Sequence, residues 1–272
     1  MTADRKLAET YYRGLALEKA GDRDGAAQAY REVLELDPSD HGGASIRLAA
    51  MGLGPVPDAA PDAYVATLFD QNAAQFDDML VEQLGYAVPM LLRERFDALG
   101  LGPWERALDL GCGTGLTGIS LTDRVGTLTG VDLSEAMLEE ADERDRYDDL
   151  FVAEAVAFLQ EAEDEGPWDL IAATDVLPYI GALEGFFAGA ARQLEPGGIL
   201  AVSAETLPAE NIPASGYTVG AKHRYAHGED YLLGLLDGHG FALIENLPIT
   251  VRFDEGAPVP GFLVIARRNT VR

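Results

Sequence analysis

From residue 105 onward the chain alternates short apolar runs with helical stretches, and this alternation constrains the fold more than any other feature of its 272 residues. Runs short enough for strands fall at 106–110, 127–131, 149–152, 168–173, 198–204, 241–248 and 260–267. Helical spacing fills the intervals at 115–122, 134–144, 154–162, 181–194 and 229–238. Such alternation predicts a mostly parallel sheet with helices on both faces. Only the short turn Asp254-Glu255-Gly256-Ala257-Pro258 lies near the junction of the last two runs. It leaves no room for a crossover helix, so these strands should pair antiparallel. The expected class is α/β, a seven-stranded sheet with its last strand antiparallel.

Upstream of this region the periodicity is helical. Helices are predicted at about 6–20, 24–36 and 42–52, with the first break at Gly21-Asp22. With Pro38 taken as the closing proline of a tetratricopeptide repeat, Gly14, Leu17, Ala26, Tyr30 and Val33 fall at or near its small and apolar positions. Thr10 and Arg13 stand where large apolar residues are usual. About one repeat is present. A lone unit of this kind cannot bury its own apolar face, so it must dock on the rest of the chain, on a second copy or on a partner protein. The Gly/Pro-rich stretch 52–61 breaks any helix, and further helical segments are expected at 62–83 and 86–99. The implied organisation is a tetratricopeptide-like helical segment over 1–54, a linker and helical lid over 55–104, and a ligand-binding domain over 105–272.

Composition narrows the partners. The formal charge is −26 and no basic residues cluster, so a phosphate backbone or an anionic membrane surface would be repelled. Neither nucleic acid nor membrane is an expected partner. No apolar run reaches the ~18–20 residues of a membrane span. The N-terminus Met1-Thr2-Ala3-Asp4-Arg5-Lys6 leads into a polar helical stretch and not into a signal-like apolar core, and the expected compartment is the cytoplasm. Cys112 is the single cysteine, which excludes an internal disulfide; set between two glycines, it reads as a small turn residue. No His-Glu-x-x-His or clustered-Cys spacing marks a metal site. The acidic stretches 139–149 and 161–165 read as solvated helix faces or loops.

The chemistry concentrates where the first predicted strand ends. Ala107-Leu108-Asp109-Leu110-Gly111-Cys112-Gly113-Thr114-Gly115 is an apolar strand running into glycines and then a helix. In an open α/β sheet, ligands bind outside the carboxyl ends of the strands, and glycines there let the backbone approach the ligand. Thr129-Gly130-Val131-Asp132 ends the second strand. A carboxylate at that tip can accept hydrogen bonds from both hydroxyls of a ribose. Gly113-Thr114-Gly115-Leu116-Thr117-Gly118 also satisfies the dinucleotide fingerprint G-x-G-x-x-G. Counted from Gly111, the first glycine after the strand, Leu116 takes the place of the third glycine. Asp109, just before the turn, would oppose a pyrophosphate but suits a ligand with an amino group and a sulfonium.

Residues 105–205 resemble the class I S-adenosylmethionine-dependent methyltransferases. The likeness rests on Leu108-Asp109-Leu110-Gly111-Cys112-Gly113-Thr114-Gly115, on Gly130-Val131-Asp132-Leu133-Ser134-Glu135-Ala136-Met137-Leu138 and on Leu194-Glu195-Pro196-Gly197-Gly198-Ile199-Leu200. The whole chain is similar to a group of bacterial methyltransferases with an N-terminal tetratricopeptide-like segment. Leu68-Phe69-Asp70-Gln71-Asn72-Ala73-Ala74-Gln75-Phe76-Asp77 and Arg224-Tyr225-Ala226-His227 carry that wider likeness. The resemblance implies a Rossmann-like methyltransferase sheet and S-adenosylmethionine as cofactor, with S-adenosylhomocysteine as product. It also implies roles. The turn from Gly111 through Gly113 to Gly115 would cradle the methionine part of the donor, with Asp109 supporting the turn and the amino group. Asp132 would hold the ribose, and Leu133 and Met137 would flank the adenine. Glu154, next to Ala155, would accept from the adenine amine, although Asp is commoner there. Asp175 would lie near the methionine amino group, mainly through its backbone. The competing assignment puts Leu133 and Met137 in the core and makes Glu154 a solvated first-turn residue favoured by the helix dipole.

Methyl transfer from a sulfonium is an in-line displacement, so aligning the acceptor and excluding water is the main task. A base is needed only where the acceptor must lose a proton. Tyr64, Phe69 and Phe76 supply aromatic surface in the segment before the sheet, and Phe69 and Phe76 are expected beside the cofactor as part of a lid. The insertion 205–228 is the most polar and aromatic stretch of the domain and holds two of the four histidines. The catalytic candidates are His227 as a general base or acceptor contact, Arg224 as a bidentate carboxylate binder, and Tyr179, after the fourth strand, as a pocket wall. The expected activity is methyl transfer to a small-molecule acceptor at oxygen, nitrogen or carbon. The rivals are a protein acceptor recruited by the helical segment, a non-catalytic S-adenosylmethionine-binding scaffold, and an NAD-dependent oxidoreductase. Self-association through the N-terminal helices is a further option.

Overall fold

The computed structural model describes residues 3–162 and 165–270. Glu163 and Asp164 of the acidic stretch 161–165, and the terminal pairs Met1-Thr2 and Val271-Arg272, lie outside the described residues. Three helices open the chain: α1 (Ala3–Lys19), α2 (Arg23–Leu36) and α3 (Ala44–Ala50). Asp22 caps α2 by accepting from the Gly25 amide at 3.0 Å. Gly14 of α1 faces Tyr30 of α2, whose ring would lie 2.7 Å from an added Cβ. Ala26, Tyr30 and Val33 bury with Ala44 and Leu48 in a small core. The other face of α3 is covered as well: Ile46 and Ala49 pack with Ala60, Val219 and Tyr225 from later in the chain. The helical unit thus buries its second face on the rest of the molecule, as so short a unit must on some neighbour.

Next come α4 (Asp62–Asp70) and α5 (Val88–Leu99). The single helix expected over 62–83 is interrupted. A 3-10 turn at Ala73–Gln75 and a π-helical turn at Asp78–Gln83 replace its continuation. The Asn72 side-chain amide donates to the Leu68 carbonyl at 2.6 Å, giving that carbonyl a partner other than the helical backbone.

Five strands follow, β1 (Trp104–Leu110), β2 (Val125–Asp132), β3 (Asp149–Val152), β4 (Trp168–Ala173) and β5 (Leu194–Glu205). Between them run α6 (Leu116–Leu121), α7 (Glu135–Asp142), α8 (Ala155–Glu161) and α9 (Glu184–Gln193). The chain closes with β6 (Tyr217–Val219), β7 (Tyr225–His227), α10 (Glu229–Gly238), β8 (Phe241–Asp254) and β9 (Ala257–Arg268). Seven strands form one sheet in the order β3-β2-β1-β4-β5-β9-β8. The first five are parallel, and β9 runs antiparallel to both β5 and β8. This is the Rossmann-like methyltransferase sheet. One face packs Leu108, Val131 and Val202 under Phe158, Leu159, Phe186 and Phe187. The other packs Leu128, Leu170 and Ile265 against Leu92 and Phe96 of α5. Cover on both faces explains why the central strands read as continuous apolar runs. Strand order reverses between β1 and β4, so their carboxyl ends flank a crevice.

The insertion 205–228 contains a hairpin that strand-length patterning missed. β6 and β7 pair antiparallel, Tyr217 with His227 and Val219 with Tyr225. Three-residue strands are too short to show an alternation. No helix among the described residues is long and apolar enough to cross a membrane.

Candidate functional site

The crevice is a cleft that opens to solvent. Gly111, Cys112 and Gly113 line it from the turn after β1, with Asp132 and Leu133 after β2 and Ala153, Glu154 and Ala155 after β3. Asp175, Val176 and Tyr179 line it from the loop after β4, and Phe69, Phe76 and Leu80 from the segment before the sheet. Among the described residues, its charged lining consists of acids alone: Asp62, Asp132, Glu154 and Asp175.

Gly111, Gly113 and Gly115 take φ values of +61°, +53° and +93°, a region that side chains disfavour. At Gly111 a Cβ would stand 2.3 Å from Val176 Cγ2. At Gly113 the nearest group would be the Phe76 ring at 4.0 Å, so glycine here keeps the space over the turn open. Asp132 braces the turn: Oδ2 accepts from the Gly113 amide and Oδ1 from the Ser134 amide, each at 2.9 Å. Burial raises its pKa, while these amides pull it back. Each oxygen keeps a second lone pair. Asp109 is 1% exposed and lies beneath the turn, outside the cleft lining. The Tyr147 hydroxyl donates to its Oδ2 at 2.7 Å, and its Oδ1 is buried without a partner. Burial drives the Asp109 pKa up to about 7, against the Tyr147 bond and helped by nearby Asp132. An orphaned buried acceptor costs about 1–3 kcal/mol, a cost that a proton relieves. Burial also holds the Cys112 thiol protonated.

Glu154 caps α8, accepting from the Val156 amide at 3.0 Å and the Ala157 amide at 2.7 Å. It is therefore a partly buried cap and not a solvated first-turn residue. Leu133 and Ala155 reach the cleft, but Met137 does not: it is fully buried and absent from the lining. The Ser134 cap fixes the reason. Met137 donates its amide to Ser134 Oγ at 3.1 Å, which sets its side chain on the inner face of α7.

The aromatic segment closes over the turn. Phe69 meets Phe76 edge-on at 5.7 Å and Tyr179 at 5.2 Å between ring centroids. Tyr64 turns away to fill the space beside Gly43. Two acids that sequence reasoning did not single out pin this segment. Asp77 accepts from the Thr114 hydroxyl at 2.6 Å and pairs with Arg144. Asp70 accepts from the Ser134 hydroxyl at 2.5 Å.

The expectations for the insertion need correction. His227 is fully buried and outside the cleft, with Nε2 2.9 Å from the Ile180 carbonyl and 3.1 Å from that of Gly181. Burial lowers its pKa to about 4, so it is a neutral donor to backbone and not a base for a substrate. Arg224 does bind carboxylates, but they belong to the protein. It donates Nη2 to Asp175 Oδ2 at 2.8 Å, Nε to Glu205 Oε1 at 2.6 Å and Nη1 to the Tyr179 hydroxyl at 2.6 Å. Arg252 Nη1 reaches the same Glu205 oxygen at 2.6 Å. Tyr179 lines the cleft, and burial raises its phenol above the usual range. Glu205 ends β5, a position where strand tips carry function; Arg252, inside β8, had no such signal.

Residues 108–200 match a family model described as a methyltransferase domain. Demethylmenaquinone methyltransferase of Beutenbergia cavernae is 32% identical over 145 residues, 53% of this chain and 59% of that protein. A malonyl-[acyl-carrier protein] O-methyltransferase of Acetivibrio thermocellus is 31% identical over 139 residues, 50% of this chain and 47% of that protein. The chain spans about half the length of the curated relatives it matches. Among solved structures, the N-methyltransferase NodS of Bradyrhizobium japonicum WM9, in complex with S-adenosyl-l-homocysteine, superposes with a TM-score of 0.58 at 15% identity, covering 75% of this chain and 98% of that one. Magnesium protoporphyrin IX methyltransferase of Synechocystis with the same compound gives 0.51 at 16% identity, covering 76% and 87%. Residues 108–200 thus carry the likeness to a methyltransferase domain. The chain around them has the fold of the class I S-adenosylmethionine-dependent methyltransferases. The cleft fits that cofactor: an open glycine and, among the described residues, a charged lining of acids alone for a sulfonium and an ammonium.

Proposed function

We propose that the chain transfers the methyl group of S-adenosylmethionine to a small-molecule acceptor. One observation carries this: among the described residues, the cleft at the strand tips presents four acids and no basic side chain beside a glycine turn. The acidic lining attracts cationic centres and repels an anionic pyrophosphate. Gly111 to Gly115 would hold the methionine part, Asp132 the ribose, Leu133 and Ala155 the adenine with Glu154 at its amine, and Asp175 the amino group. When bound, this cofactor supplies a methyl made electrophilic by positively charged sulfur. Phe69, Phe76 and Tyr179 then exclude water and hold the acceptor in line. The first 54 residues are read as a tetratricopeptide-like segment docked through α3, residues 55–104 as linker and lid, and 105–272 as the catalytic domain of a cytoplasmic enzyme. With a charge of −26, nucleic acid and membrane are not its partners.

Calorimetric titration with S-adenosylhomocysteine and with NADH tests this. The thioether should bind and NADH should not, and Asp132→Ala should weaken the thioether by about 1–3 kcal/mol. Binding of NADH with none of the thioether overturns it. A metabolite screen following demethylated donor then identifies the acceptor.

A further inference from the structure

The loop after β4 holds a charge cluster whose place in the fold gives it a task. Asp175 has a φ of +61°, a left-handed backbone that Asp tolerates better than most residues. Its amide donates to Ser203 Oγ at 2.8 Å. Arg224 fixes its Oδ2 at 2.8 Å, and Arg252 Nη1 stands 3.5 Å from its Oδ1. Both arginines converge on Glu205 Oε1 at 2.6 Å each. The four charges balance, and the side chains are only 5–17% exposed. Such a set is costly to break from either side, because removing one partner strands a buried charge.

Asp175 Oδ1 is buried without a hydrogen-bond donor, yet Asp175 lines the cleft. Oδ1 is thus out of a ligand's reach beside Arg252, and Oδ2 is taken by Arg224, so a ligand hydrogen-bond donor at this strand tip meets the backbone of Asp175, which the cluster holds in place. On the donor-binding reading above, on which this inference rests, the ligand group of that kind is an α-ammonium. We propose that Arg224 and Arg252 are positioning residues that lock Asp175 so that its left-handed backbone at the cleft is held against the α-ammonium of the methyl donor. Arg224 sets the rotation of the carboxylate, and Glu205 and Arg252 set Arg224. The same guanidinium donates to the Tyr179 hydroxyl at 2.6 Å, so the amino-acid anchor and the aromatic wall share one support. The insertion 205–228 therefore serves the donor side of the cleft.

A pair of ligands separates this from a merely structural role. S-adenosylhomocysteine carries the amino acid; 5′-methylthioadenosine keeps the nucleoside and the thioether but lacks it. In Arg224→Gln, binding of the first should weaken about tenfold while binding of the second stays within about twofold. Arg252→Gln should move the ratio in the same direction, and Arg224→Lys should recover part of it. Where circular dichroism shows Arg224→Gln unfolded, Arg224→Lys and Arg252→Gln read the same ratio. Equal losses for both ligands, or no loss, overturn the proposal, as does a wild-type protein that binds the two equally. A wild-type protein that binds neither overturns the donor-binding reading itself, and this inference falls with it.

Discussion

The half of the cleft proposed for the methyl donor and the half proposed for the acceptor are held by bonds of different range. In the donor half the carboxylates proposed for the nucleoside are tied close to the strand tips, Asp132 to the Ser134 amide and across to Gly113 and Glu154 to the Val156 and Ala157 amides, whereas Asp175 is held from farther off by Arg224 and Arg252. The other half is stitched from distant pieces. The Ala60 amide donates to the Tyr179 carbonyl at 2.9 Å, and the Gly181 and Ala182 amides both donate to the Asp58 carbonyl at 2.8 Å. The Tyr225 hydroxyl donates to the Pro57 carbonyl at 2.8 Å. A nucleoside site can thus be made by strand tips and their turns, whereas the acceptor wall here depends on where the N-terminal helices and the hairpin dock.

The comparison breaks first at Gly111, where local backbone shape should matter most. A side chain there meets a left-handed backbone and a Cβ position 2.3 Å from Val176 Cγ2. Strain of about 1–2 kcal/mol and overpacking of about 1–3 kcal/mol should add. Gly111→Ala should lose about a hundredfold or more in S-adenosylhomocysteine affinity by calorimetry. Gly111→Ala with Val176→Ala should recover the packing part and not the strain. Unchanged affinity in Gly111→Ala would show that the turn is no cradle.

The long-range half makes a prediction in pH. Burial takes the His227 pKa from 6.5 down to about 4, so the unfolded chain binds this proton at a higher pH than the folded one. Its contribution to stability is complete above pH ~6.5 and is lost as pH falls toward ~4, about 3 kcal/mol across the window. About 1.4 kcal/mol of that should be gone at pH 5.5. Urea unfolding of wild type and His227→Gln at pH 7.5 and 5.5 measures it: the variant should lose less stability on acidification, because its amide can donate to the same carbonyls without titrating. If both proteins lose the same amount, the buried imidazole is not what pins the hairpin.

Legibility in the sequence follows the same division. The central strands of the main sheet show as apolar runs, because burial on both faces leaves that mark, and the glycine turn shows because positive φ values demand glycine. Leu133 and Glu154 could be placed because each follows a strand tip within two residues. Met137 could not, since the same helical spacing serves a core face and a ligand face equally. His227 and Arg224 stood out for their chemistry, but where they point is decided by a hairpin whose strands are three residues long. Arg252 and Asp77 left no local trace, because their partners Glu205 and Thr114 are distant in sequence.

The smallest effect tests the seam between the halves. The segment carrying Phe69 and Phe76 is tied to the donor turn through Asp77, and to the far wall through the contact of Phe69 with Tyr179. The Asp77–Arg144 pair is partly solvated, its side chains 34% and 23% exposed, and such a pair is worth at most about 1 kcal/mol. The bond from the Thr114 hydroxyl adds about the same. Asp77→Ala should therefore weaken S-adenosylhomocysteine only about two- to fivefold. The weakening should lie in faster dissociation, because a segment held less firmly opens more often. Hydrogen exchange of the amides at 73–84 should rise in parallel. Thr114→Val should reproduce most of the effect if the hydroxyl bond carries it, and the double variant should then add little. If Asp77→Ala leaves exchange unchanged, aromatic packing alone holds the segment. The lid would then belong with the long-range half, and the donor turn would be open at its upper side until the distant pieces have docked.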